Sequence, residues 1–66
     1  IPLAWRLLVK AGDLVMYRKQ YSRIASGIGL VMRTTEMYAY VKWAKIPTEQ
    51  PLIANKKHLE VVSESG

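Results

Sequence analysis

From Lys10 onward, short apolar runs alternate with turn-forming residues at the spacing of a small antiparallel β-domain. Ala11-Gly12-Asp13 is a turn signal that launches Leu14-Val15-Met16-Tyr17, the first expected strand. A largely polar loop, 20–26, follows it. Ser26-Gly27-Ile28-Gly29 places two glycines at a turn or bulge where a Cβ would clash and the backbone bends sharply, and Leu30-Val31-Met32-Arg33 continues as the second strand. Thr34-Thr35-Glu36 reads as a hairpin connection into residues 37–43, the cleanest period-two stretch of the chain. Alternation puts Met37, Ala39, Val41 and Trp43 on one face, the expected core, and Tyr38, Tyr40 and Lys42 on the other. Pro47 and Pro51 make 45–51 a loop, because two prolines so spaced do not fit a central strand. Leu52-Ile53 is a short fourth strand, 54–58 a single helical turn, and 59–63 the closing strand, with 64–66 a polar tail. The expectation is an all-β fold: five short strands closing on themselves into a small barrel, with one helical turn before the last strand.

Length supports a single unit, since 66 residues hold one core and leave no room for repeated strand-helix-strand crossovers. Half the residues are apolar and 23% charged, the composition of a folded domain and not of a disordered segment. Residues 1–9 stand apart as an apolar flank or extra strand, broken by Pro2 and Arg6. That run is too short to span a bilayer and lacks the plan of a signal peptide, which predicts a cytoplasmic or particle-associated location. Without cysteine, disulfides and thiolate metal sites are excluded.

The pattern Gly12-Asp13-Leu14-Val15, Gly27-Ile28-Gly29-Leu30-Val31, Tyr40-Val41-Lys42-Trp43 and Leu59-Glu60-Val61-Val62 resembles the small SH3-like barrels common in phage and environmental reading frames. The resemblance covers about residues 10–63 and implies a five-stranded SH3-like barrel with the turn at Asn55 to His58 before its last strand. It leaves the flank as an appendage and the 64–66 tail outside the barrel. It also implies a virion-associated location as an alternative to the cytoplasm. The function remains open, because this barrel serves many roles. The short plasmid-borne dihydrofolate reductase uses such a barrel, but its Val-Gln-Ile-Tyr strand motif is not reproduced by Gln50-Pro51-Leu52-Ile53.

No catalytic constellation emerges, so the expectation is a non-enzymatic protein with no cofactor and no metal. His58 is the sole histidine and follows two lysines in a turn, the setting of a solvated side chain. Asp13 follows a glycine, where a carboxylate caps backbone amides. The first functional expectation is an interaction module that binds a protein partner or joins an assembly, with Tyr17, Tyr38, Tyr40 and Lys42 as its candidate contact residues. The flank residues Leu3, Trp5, Leu7 and Leu8 are the candidates for self-association. The alternative rests on ten Lys/Arg against five Asp/Glu, a net charge of +5. The glycine-centred turn is similar to the KOW element of RNA-associated factors. In that reading Arg18, Lys19, Tyr21, Arg23 and Arg33 flank the turn and meet RNA or DNA, with Tyr21 stacking on a base.

Overall fold

The computed structural model describes residues 9–21 and 27–64. The candidate assembly residues Leu3, Trp5, Leu7 and Leu8 and the candidate loop residue Arg23 therefore lie outside the described residues.

Five antiparallel strands form a single sheet: β1 (Leu14–Tyr17), β2 (Gly29–Thr34), β3 (Tyr38–Trp43), β4 (Leu52–Asn55) and β5 (Leu59–Ser63). Their order is β4-β3-β2-β1-β5, so β4 and β5 are the edges. Two 3-10 turns, Lys19–Tyr21 and Lys56–His58, are the helical pieces among the described residues. The first and last strands coincide with the runs expected from their sequence. The fourth is two residues longer, because Ala54 and Asn55 continue the ladder with Ala39 and Tyr38. The helical turn is correspondingly shorter, with Asn55 as its N-cap accepting a hydrogen bond from the Lys57 N–H.

One face of the sheet carries the core. Val15 on β1, Val31 on β2, Ala39, Val41 and Trp43 on β3, Ala54 on β4 and Leu59 on β5 are buried together, joined by Val9. Tyr17, Ile46 and Val61 pack against this cluster. The period-two reading of β3 holds for Ala39, Val41 and Trp43 but is corrected at Met37. That residue precedes β3, is exposed, and contributes its carbonyl to the Lys56 N–H. The reason is the hairpin: the Thr35 N–H donates to the Tyr38 carbonyl and the Tyr38 N–H donates to Thr35 Oγ1. These bonds close the turn around Met37 and place it beyond the end of the buried face.

The turn before β1 is held by Asp13. Its side chain is fully buried, Oδ2 accepts from the Lys10 N–H at 3.0 Å, and Lys10 Nζ lies 3.4 Å from Oδ1. Gly12 takes a φ of 92°, the left-handed conformation that the glycine supplies without a steric penalty. Main-chain bonds from Gly12 to Val31 and from Val31 to Asp13 then tie this turn to the middle of the sheet.

Candidate interaction surface

The face opposite the core is a candidate interaction surface, and its composition follows from strand register. Leu14 on β1 pairs with Leu30 on β2, and Leu30 pairs with Lys42 on β3. Arg33 on β2 pairs with Tyr40, and Tyr40 with Ile53 on β4. Tyr38 stands beside Asn55. Because Ala39 and Val41 point into the core, Tyr38, Tyr40 and Lys42 point away from it. Directly across the ladder, cross-strand partners share a face, which adds Leu30, Arg33 and Ile53 to theirs.

The result is an outer surface with many exposed apolar side chains. Ile53 is 55% exposed and Met32 46%, and Met16, Ile28, Leu30 and Tyr38 are also exposed. A register shift between Val31 and Arg33 gives β2 an extra residue there. The bulge turns Arg33 back onto the outer face, where its guanidinium carbon sits 3.8 Å from the centre of the Tyr40 ring.

The sequence-derived candidates separate between two places. Tyr38, Tyr40 and Lys42 share the outer face, while Tyr17 lies on the opposite side of the sheet. There it stacks on Trp43 with ring centroids 4.8 Å apart and an interplanar angle of 13°. Burial raises the Tyr17 phenol above its ordinary pKa by desolvation. The alternative set divides likewise. Arg33 belongs to the outer face, whereas Arg18, Lys19 and Tyr21 follow β1 at a corner beside the second 3-10 turn.

That corner brings in residues that the sequence did not connect. The Arg18 N–H donates to the His58 carbonyl, and Arg18 Nε donates to the Lys57 carbonyl at 3.0 Å. Tyr21 and His58 meet at a centroid distance of 4.1 Å, tilted by 38°. Lys57 and His58 lie some forty positions from Arg18 and come to it through the pairing of Tyr17 with Leu59. The signal that would find them is the β1–β5 pairing, which local periodicity does not report.

A cavity of about 370 Å³ lies along β5, lined by Val9, Leu59, Val61 and Val62 with Arg18, Glu60 and Glu64. Its polar lining combines one guanidinium with two carboxylates. Among the described residues, no group of three or more His, Asp or Glu side chains is placed to hold a metal ion. Among the same residues, no helix is long and apolar enough to cross a membrane. No protein-family model, curated protein or solved structure matches the chain.

Proposed function

We propose that this chain is a non-catalytic interaction module, an SH3-like barrel of the phage or environmental type, that binds a protein partner through the outer face of its sheet or takes part in an assembly. The observation that carries this reading is the apolar surface formed by Leu30, Met32, Tyr38, Tyr40 and Ile53 on a sheet whose other face already holds the core. Apolar area left in water on this scale marks an interaction site more often than a bare surface. Tyrosines add contact area at low conformational cost, and the strands hold them rigidly. In the same reading, the apolar residues Leu3, Trp5, Leu7 and Leu8 remain the candidates for self-association.

Site-specific photo-crosslinking tests it. A photoreactive residue at Ile53 or Met32 should form adducts with polypeptide in cells that express the chain, while one at Glu49, in the loop before β4, should not. Adducts to nucleic acid from Ile53, or equal labelling from all three positions, contradict the reading.

A second reading is favoured by the corner of Arg18, Lys19, Tyr21, Lys57 and His58. Cations placed around an aromatic pair are suited to the phosphates and bases of a single strand. This is a KOW-like, RNA- or DNA-associated barrel, with Lys57 and His58 taking the place that Arg33 was expected to fill. Fluorescence anisotropy with a single-stranded oligonucleotide discriminates between the two. Affinity that falls steeply with salt and is lost in Lys57→Gln supports the corner; affinity indifferent to both removes it.

A further inference from the structure

Among the described residues, the outer face carries Arg33 and Lys42 within its apolar area, neither of them in an ion pair. Arg33 sits over Tyr40, and Lys42 stands opposite Leu30. Among the described residues, no carboxylate forms an ion pair with either side chain, in contrast to Lys10, which meets both Asp13 and Glu64. Glu60, opposite Met16 on the edge strand β5, shares the outer face two strands away from β2, and Glu36 is in the turn between β2 and β3. The chain as a whole carries +5, so its own surface adds little to neutralise them.

A cation surrounded by apolar side chains stays hydrated while the face is open. Covering that face with a neutral partner would strip the water and leave an unpaired charge, which is unfavourable. A partner with a carboxylate at that point replaces the water with a charge-assisted hydrogen bond. The Arg33 geometry suits this exchange: a guanidinium resting on a ring keeps its N–H edge available for a carboxylate, which it can meet with two parallel bonds. Resting on the interaction-module reading above, we infer that the outer face selects an acidic, apolar protein segment, with carboxylates at Arg33 and Lys42 and apolar side chains over Leu30, Met32, Tyr38 and Ile53. A second copy of this chain fits less well, since pairing the face with itself sets Arg33 and Lys42 against like charges.

Selection from a displayed library of random short peptides on the immobilised full chain tests both levels. The expected result is enrichment of peptides that combine Asp or Glu with apolar residues. These should bind Arg33→Gln/Lys42→Gln at least about tenfold more weakly, the loss of one charge-assisted contact or more, and should not bind Tyr38→Ser/Ile53→Ser. Circular dichroism verifies that both variants remain folded. Enriched peptides that are uncharged or basic, yet still lost in Tyr38→Ser/Ile53→Ser, overturn the acidic partner and leave the interaction module standing. Peptides indifferent to both variants, or no enrichment at all, overturn both. A concentration-dependent mass abolished by Tyr38→Ser/Ile53→Ser assigns the face to a second copy. Peptide binding that appears after Trp5→Ala/Leu7→Ser alone assigns it to the chain's own flank, and either outcome overturns the acidic partner.

Discussion

Gly29 shows how much a single residue determines in a core this small. It pairs with Val15 on one side and Trp43 on the other, and a Cβ built there would fall 2.6 Å from Trp43 Cε3 and closer still to Val41 Cγ1. Both neighbours are buried and belong to the strand framework, so neither can swing aside. Gly29→Ala should therefore destabilise the fold by about 2–3 kcal/mol, the scale of overpacking a filled core, measured by urea unfolding. Unchanged stability would mean that the Trp43 ring does not occupy this space. Asp13 acts through polarity instead of volume. Its buried carboxylate accepts the Lys10 N–H, and Asp13→Ala should cost about 1–3 kcal/mol by leaving that turn without its acceptor. A loss below a few tenths would show that the turn closes without it. The sequence marked Asp13 for a turn, as found, and Gly29 for a turn or bulge in which a Cβ would clash; the clash is there, but Gly29 opens β2 instead of forming the turn. What it did not contain was the depth of Asp13 or the identity of the side chains pressing on Gly29, both of which depend on strand register.

At the scale of elements, β1 and β3 are not hydrogen-bonded neighbours, yet Tyr17 and Trp43 stack across β2. The bare backbone at Gly29 leaves the room for this contact. It holds two strands together beneath a third and explains why Tyr17 serves the core and not the outer aromatic face. Since burial raises the Tyr17 pKa, the unfolded chain loses that proton at its ordinary value near 10.0 while the native state still retains it. The native state then binds more protons, so this contribution is complete below pH 10 and is lost as pH climbs through the raised value. Tyr17→Phe has no phenolic proton to retain. Its unfolding free energy should decline less than that of the original chain between neutral and strongly alkaline pH, and parallel curves would contradict the assignment. The two faces of β3 were legible from alternation, but the bulge at Met32 and Arg33 on β2 was not. An extra residue in one strand leaves little trace in a pattern only six residues long, so Arg33 was grouped with the cations of the loop.

For the whole molecule, the five-strand pattern was legible because each strand is short, amphipathic and bounded by glycine, proline or polar residues. Which strands pair, and in what register, was not, and with it went the corner where Tyr21 meets His58. The outer face was half legible: Tyr38, Tyr40 and Lys42 follow from one strand, whereas Leu30, Met32 and Ile53 join them through pairing with neighbours. A single sheet with a core on one side and exposed tyrosine, methionine and isoleucine on the other has an unbalanced surface, and charge alone does not compensate for it. The most direct test of the account is a nuclear magnetic resonance titration of the full chain with the strongest peptide from the library selection. Shifts confined to Leu30, Met32, Arg33, Tyr38, Tyr40, Lys42 and Ile53 are the predicted result. Shifts centred on Tyr21, Lys57 and His58, with the outer face unmoved, would contradict it and make the basic corner the working surface of the protein.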